Sequence, residues 1–148
     1  MKLSSRGHYG MMALTYLAQK AETGPIPIKA IAAAEDIPEP YLEQIFVELR
    51  RAGLVTSVRG ARGGYKLSRP AADIQVGEVV KVLEGEIAPV ECLHAEEENP
   101  ALCCSKTEHC ATKIVWEKLR DTIVDYLDDI TLHDIVNKSS KLYTESKS

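Results

Sequence analysis

The sequence predicts a mainly α-helical protein with a small β-hairpin: a winged helix-turn-helix followed by a long C-terminal helix. Three observations predict this fold class. Apolar residues recur at helical spacing in three stretches before Gly53, two alternating stretches then flank "RGARGG", and a long amphipathic stretch follows residue 112. A chain of 148 residues is long enough to bury a core of its own.

The first predicted helix spans about residues 4–21. Ser4 or Ser5 can accept hydrogen bonds from its first backbone N–H groups, and Gly24-Pro25 ends the segment. Its predicted inner face consists of Tyr9, Met12, Ala13, Tyr16 and Leu17.

A short helix over about 28–34 and a turn at Ile37-Pro38 come next, since proline disfavours helical geometry in the residue before it. A third helix is predicted from near Pro40 to Gly53, because proline suits the first helical turn and glycine commonly follows the last. Its predicted inner face consists of Leu42, Ile45, Phe46 and Leu49.

The hairpin is predicted from strands at about 54–58 and 65–67, where apolar residues alternate on both sides of the glycine-rich loop. A short helix over 76–85 follows, and a long amphipathic helix begins near Thr112. The apolar stripe of this long helix could pack within one chain or against a second copy. Its members are Val115, Trp116, Leu119, Ile123, Leu127 and Ile130.

Charge is unevenly distributed along the chain. Residues 1–69 carry 10 basic and 6 acidic side chains, whereas residues 70–148 carry 8 and 16, which together make the net charge of −4. A basic half of this kind indicates an anionic partner, and the acidic half must have another role. Chance segregation of solvated charges is the simpler alternative.

The third helix is the candidate for reading DNA, because the second helix of a helix-turn-helix places its N-terminal residues at base edges in the major groove. Tyr41, Glu43 and Gln44 occupy that position. Glu43 could accept a hydrogen bond from a cytosine amino group, and Gln44 could pair with adenine.

Arginines near this helix are candidates for the DNA backbone. Arg50 and Arg51 lie further along the helix, where phosphates are the nearer partners. Arg59 and Arg62 lie among the glycines of the wing, which permit a tight loop able to reach a minor groove or a phosphate. The alternative is an ordinary amphipathic helix with solvated arginines.

All four cysteines lie within "CLHAEEENPALCCSKTEHC", residues 92–110. In a reducing compartment, clustered cysteines are more often ligands or redox groups than disulfides. Five residues separate Cys104 from Cys110, and eleven separate Cys92 from Cys104, unlike the C-x₂₋₄-C pairs of structural zinc sites. Thiolates suit iron–sulfur clusters, but structural zinc and metal-free redox thiols remain alternatives.

The sequence resembles a known family in "MKLSSRGHYGMMAL", "YLEQIFVELRRAGLVTSVRGARGGYKLSRP", "VGEVV", "CATKIVW" and "DDITLHDIVN". These motifs, over about residues 1–137, are similar to the winged-helix regulators of the IscR type, a family that includes the nitric-oxide sensor NsrR and the cysteine-metabolism regulator CymR. The resemblance implies a homodimeric repressor or activator that binds an operator in double-stranded DNA and dimerises through the long C-terminal helix.

For the cluster-binding members, the resemblance implies an iron–sulfur cluster, of the [2Fe-2S] type, held by Cys92, Cys104 and Cys110. Cys103 is an alternative to its neighbour Cys104. The family cluster regulator has a histidine three residues after the last cysteine, where this chain has Lys113.

A protonated lysine has no lone pair to give to iron, so the fourth ligand must come from elsewhere. Some relatives use a side chain of the first helix, reaching the partner subunit's cluster, and His8 occupies that place here. Its competitors are His94, His109, Cys103 and nearby glutamates.

The expected domain organisation is a DNA-binding domain (1–70), a connecting helix (71–85), a cysteine-rich loop (86–111), a dimerisation helix with a terminal turn (112–137) and a polar tail (138–148). The expected function is transcriptional regulation of iron–sulfur cluster biogenesis genes by cluster occupancy. The alternatives are a cluster-free regulator controlled by a metabolic partner protein, or a nitric-oxide or redox sensor.

No C-x-x-C motif, nucleotide loop or acid/base pair predicts an enzyme, and no small-molecule substrate is expected. No apolar stretch approaches the roughly 20 residues of a membrane span, and no signal peptide is evident. A cytoplasmic protein is therefore expected.

Overall fold

The computed structural model describes residues 2–90, 93 and 110–138. The helices and strands follow in chain order as α1 Ser5–Gln19, α2 Ile28–Glu35, α3 Glu39–Arg51, β1 Val55–Val58, β2 Gly64–Leu67, α4 Val76–Glu84, α5 Lys113–Asp129 and α6 Leu132–Val136. Single 3₁₀ turns at Ala21–Thr23 and Ala71–Asp73 lie between these elements.

The predicted fold class is confirmed. Three helices precede an antiparallel hairpin in which Val55 pairs with Leu67 and Val58 pairs with Gly64. The first helix ends at Gln19, two residues before its predicted end, and gives way to a 3₁₀ turn. The third begins at Glu39, one residue early, because Pro40 fits within the first turn without needing an N–H partner.

One hydrophobic core joins the three N-terminal helices, the hairpin, α4 and α6. Phe46 of α3 and Leu14 of α1 are fully buried in it. Leu14 was not on the predicted inner face of α1, whereas Met12 was predicted there and is only partly buried. The buried face of α1 includes Gly7 and Gly10, whose lack of side chains hides them from a hydrophobic pattern.

The C-terminal segment returns to the core through α6. Val76 N–H donates to the Ile130 carbonyl at 2.8 Å, and Leu132 N–H donates to the Ile74 carbonyl at 3.0 Å. The Thr131 hydroxyl accepts from Asp134 N–H while the Asp134 carboxylate accepts from Thr131 N–H, which caps the start of α6. These bonds hold the end of α5 against the start of α4.

Among residues 2–90, 93 and 110–138, no helix combines the length and the apolar character that crossing a bilayer would require.

Candidate nucleic-acid interface and cysteine site

Helix α3 divides into a buried face and an exposed face, as its sequence pattern predicts. The predicted inner residues are all fully buried: Leu42, Ile45, Phe46 and Leu49. The opposite face exposes Glu43, Gln44 and Val47, followed by Arg50 and Arg51 in the last turn. The two arginines also lie at the negative end of the helix dipole, which favours cations there.

Two contacts with α1 hold α3 in position. The Arg6 guanidinium forms an ion pair with the Glu48 carboxylate. The Tyr41 ring packs edge-on against the Tyr9 ring, with centroids 5.8 Å apart and planes at 81°. Tyr41 is therefore half-buried, and its ring contacts the protein rather than extending outward with Glu43.

The base of the wing is attached to the helical core on two sides. Tyr65 and Ile26 exchange backbone hydrogen bonds of 2.8 and 2.9 Å, and the Tyr65 ring lies 4.6 Å from the Phe46 ring between centroids. A Cβ on Gly64 would lie 2.2 Å from the Ile26 carbonyl carbon, so only glycine permits this approach. The wing therefore packs directly against α3 through the contact of Tyr65 with Phe46.

The tip of the wing exposes the predicted arginines. Arg59 and Arg62 lie in the loop between the strands, and Gly63 N–H donates to the Gly60 carbonyl at 3.0 Å to close that loop. Within the part of the chain that the structure describes, neither arginine forms an ion pair with a carboxylate. Their charge is available to an anionic partner.

Of the five predicted metal ligands, two lie in the described residues. Cys110 is half-buried just ahead of α5, with its carbonyl accepting from Lys113 N–H at 3.2 Å and its Sγ 3.1 Å from the Thr112 hydroxyl. His8 is exposed on α1. Cys92, Cys103 and Cys104 lie outside the described residues, as do the competing ligands His94 and His109.

Lys113, which replaces the expected histidine, lies in the first turn of α5. Its Nζ is 3.7 Å from the Glu117 carboxylate, one turn along the helix. The residues that the structure describes contain no group of three or more His, Cys, Asp or Glu side chains able to hold a metal ion.

A cleft of about 490 Å³ lies between α4 and α5, next to the start of the cysteine segment. Lys81 of α4 and Arg120 of α5 line its walls, and Ile87 and Leu93 line the end where the segment begins. Glu86 and Ile87, which follow α4 in the chain, therefore lie at the junction of α4 with α5.

Comparison with known proteins agrees with the winged helix-turn-helix fold described above. Residues 3–138 match the sequence model of Rrf2, described as an iron-dependent transcriptional regulator. This chain belongs to the Rrf2 family. Its members are transcriptional regulators rather than enzymes, which confirms both the predicted family and the prediction of no enzymatic activity.

Relatives of two kinds resemble this Rrf2 protein to a similar degree. The regulator CymR of Bacillus subtilis (strain 168) is 42% identical over 137 residues, covering 93% of this chain and 91% of CymR. The regulator IscR of Enterobacter sp. (strain 638) is 37% identical over 142 residues, covering 96% of this chain and 83% of IscR.

Solved structures show the same balance. T. potens IscR superposes with a TM-score of 0.75 at 41% identity, covering 96% of this chain and 90% of the other. CymR, the global cysteine regulator of B. subtilis, superposes with a TM-score of 0.74 at 40% identity, covering 93% and 98%. The fold is therefore that of the Rrf2 winged-helix regulators. Overall similarity is nearly equal for regulators of the IscR type and of the CymR type.

The predictions from the sequence do not include two features of this Rrf2 chain. The first is the cap that Glu84 forms at the N-terminus of α1, since "VLEG" predicts only the end of α4. The second is the exposure of Val47 on α3, which its position one turn after Glu43 would have predicted.

Proposed function

We propose that this Rrf2 regulator is a cytoplasmic homodimer whose affinity for its DNA operator is controlled by an iron–sulfur cluster, and that it regulates genes of iron–sulfur cluster biogenesis. The observation that carries this proposal is the confinement of all four cysteines to one segment between the winged helix and α5. A cluster bound by these cysteines would constrain the segment that connects the two parts in the chain.

The DNA-binding part of the proposal is supported by the outward face of α3 and by the wing. Glu43 and Gln44 are exposed where base edges would lie, and Arg59 and Arg62 extend from a wing braced against the same core. A dimer that reads both half-sites must hold its two α3 helices about one DNA turn apart. Any change in the dimer junction would therefore change operator affinity.

The dimer is supported by the uncovered apolar face of α5. No residue of α5 is buried, and Ile114, Val115, Leu119 and Tyr126 are 71%, 55%, 42% and 58% exposed. Packing within one chain leaves this surface in water, which costs about 25 cal/mol for each Å² of apolar area that a partner could cover. A second copy of α5 is the proposed cover.

The donor set fits a cluster by its chemistry. We assign Cys92, Cys104 and Cys110 as thiolate ligands, with His8 of the partner subunit as the fourth ligand and Cys103 as the alternative to Cys104. Bound iron and sulfide would supply a group whose redox state or loss signals cell conditions. Cys110 is held in the turn that enters α5, and the nearby Thr112 hydroxyl is able to donate to its sulfur.

The route of control follows from the residue before the segment. Gly85 begins the connection to the cysteines, and Glu84 immediately before it is bonded to the N-terminus of α1. Cys110 at the other end leads directly into α5. A cluster bound by the segment would therefore act on the DNA-binding half and on the dimer helix together.

A second function is favoured by Lys113 and by the close similarity to CymR. A lysine paired with Glu117 cannot act as the histidine ligand, so the chain could instead be a cluster-free regulator controlled by a metabolic partner protein. A nitric-oxide or redox sensor would use the same cysteines with a different signal.

The deciding experiment is anaerobic reconstitution of the full chain with iron and sulfide, followed by visible absorption, iron and sulfide analysis and operator binding. Cluster control predicts about two iron and two sulfide per subunit for a [2Fe-2S] cluster, and different operator affinities with and without it. A colourless protein that still binds its operator would favour the cluster-free regulator.

A further inference from the structure

The exposed face of α3 has the spacing of a base-reading helix. The recognition helix of the homeodomain, a helix-turn-helix variant, presents side chains to the major groove at relative positions 0, 3, 4 and 7. In α3 these positions are Pro40, Glu43, Gln44 and Val47, and all four are exposed. The last of them has no polar group.

Val47 is unusual among the apolar residues of α3. It is 44% exposed, whereas the other apolar aliphatic and phenyl side chains of the helix, Leu42, Ile45, Phe46 and Leu49, are fully buried. Among the described residues, it belongs neither to the hydrophobic core nor to the smaller apolar cluster of Val76, Val80 and Ile130. A β-branched residue in an exposed helix is also a weaker helix former than alanine or a straight-chain residue. The free protein therefore gains nothing evident from valine here.

The neighbours of Val47 indicate which partner would cover it. Arg50 and Arg51 follow one turn later on the exposed side, and Glu43 and Gln44 precede it by one turn. Cations on one side and base-pairing groups on the other favour the major groove of DNA over an apolar protein surface. In that groove, the C5-methyl group of thymine is the apolar group that a side chain can contact.

We propose that Val47 reads the methyl group of one thymine in each half-site of the operator. This inference rests on the proposed DNA-binding function and adds a specificity residue to it. Cytosine lacks the methyl group and carries an amino donor where thymine has the O4 acceptor, so the valine would lose its apolar contact there. Val47 therefore selects thymine at a position next to the base read by Glu43 or Gln44.

The test removes the methyl group alone. A binding site is first obtained by selection from random DNA with the full-length protein. Each thymine is then replaced in turn by deoxyuridine, and affinities are measured for the unmodified protein, Val47→Ala and Val47→Thr. Val58→Ala is the matched control, because Val58 is a similarly exposed valine, at 38%, that lies on β1 rather than α3.

The unmodified protein should bind about fourfold more weakly when deoxyuridine replaces one thymine of a half-site, which is the effect of about one buried methyl group. Val47→Ala should lose that dependence at the same base. Val47→Thr, which keeps a methyl group, and Val58→Ala should retain it. Thermal unfolding of each variant shows whether its fold is intact.

Two results would overturn the inference in different ways. A selected site at which no deoxyuridine weakens binding, or at which Val47→Ala keeps the full penalty, overturns the assignment of Val47 and leaves DNA recognition standing. Failure to enrich any sequence overturns the proposed function and the inference together.

Discussion

The carboxylate of Glu84, the last residue of α4, caps the N-terminus of α1 by accepting hydrogen bonds from Ser4. The Ser4 backbone N–H donates to Oε1 at 3.1 Å and the Ser4 hydroxyl donates to the same atom, which also accepts from Gly7 N–H at 3.0 Å. The first N–H groups of a helix have no partner within it, and a negative charge is favourable there. This contact joins the DNA-binding helices to the residue that precedes the cysteine segment.

The first prediction concerns this cap. Glu84→Ala should lower the free energy of unfolding by about 1 kcal/mol, the usual cost of losing a helix cap, and Glu84→Gln should lower it less because an acceptor remains. Denaturant unfolding measures both values.

Gly7→Ala provides a control whose effect depends on Glu84. A Cβ at Gly7 would lie 2.2 Å from Glu84 Oε1, the end of a flexible side chain, so the substitution should displace the carboxylate and remove its cap. The gain in helix propensity should offset that loss, and the free energy of unfolding should change little. In the Glu84→Ala background the substitution should stabilise α1 by about 0.5–1 kcal/mol, because alanine is the better helix former and no cap remains to be lost. An equal change in both backgrounds would contradict the capping role.

The second prediction separates positioning on DNA from base reading. Arg59→Ala should weaken binding to all sequences and reduce the dependence of log K on log salt by about 1, because one phosphate contact is lost. Glu43→Ala should instead relax preference at one base, worth about 1–3 kcal/mol of discrimination. Arg120→Ala, on α5, is the control and should leave both quantities unchanged. Unchanged site selection by Glu43→Ala would exclude it as a base reader.

The third prediction concerns the cysteines. Cys92→Ala, Cys104→Ala and Cys110→Ala should each abolish the visible absorption of the reconstituted cluster, because each removes a thiolate ligand. Helical content and oligomeric state should persist, because helices and the hairpin form the hydrophobic core of the described residues, and Cys110 lies outside it. Cys103→Ala is the matched control and should retain the absorption. Loss of colour in Cys103→Ala with retention in Cys104→Ala would exchange the two assignments.

The fourth prediction concerns the nitrogen ligand. His8→Ala should remove the nitrogen hyperfine coupling of the reduced cluster, whereas His94→Ala and His109→Ala, reconstituted in parallel, should keep it. Protons compete with iron for the imidazole nitrogen, so the unmodified protein should lose its cluster faster at low pH than at neutral pH. Coupling that persists in His8→Ala would eliminate this ligand, and its absence from the unmodified protein would point to Cys103 or a glutamate.

The fifth prediction concerns the dimer. Leu119→Asp places a carboxylate on the exposed apolar face of α5 and should raise the dimer dissociation constant about 100-fold or more, because both copies lose an apolar contact and gain a charge that must be desolvated. Sedimentation velocity measures the change. Lys118→Asp introduces the same group at the preceding exposed residue and should remain dimeric. An unchanged dimer in Leu119→Asp would place the interface elsewhere.

The elements that could be predicted from the sequence are those whose physical causes are local. The alternating residues around Gly60 and Gly63 predicted the hairpin, and the spacing from Leu42 to Leu49 predicted the buried face of α3 correctly, because backbone preference and side-chain period act within a few residues. The sequence also predicted the family and the exposed arginines of the wing. The metal ligands in the cysteine segment stay predictions.

The contacts between distant surfaces could not be predicted from local patterns and are seen only in the folded chain. The cap of α1 by Glu84 joins residues 80 positions apart, and a glycine at position 7 gives no hydrophobic signal of the contact it permits. The apolar stripe around Leu119 is compatible with burial within one chain or between two chains, since an apolar side chain is stabilised by burial against either. In the folded chain, Leu127 and Ile130 pack with Val76 and Val80 of α4, whereas Val115 and Leu119 stay exposed because α4 contacts only one side of α5.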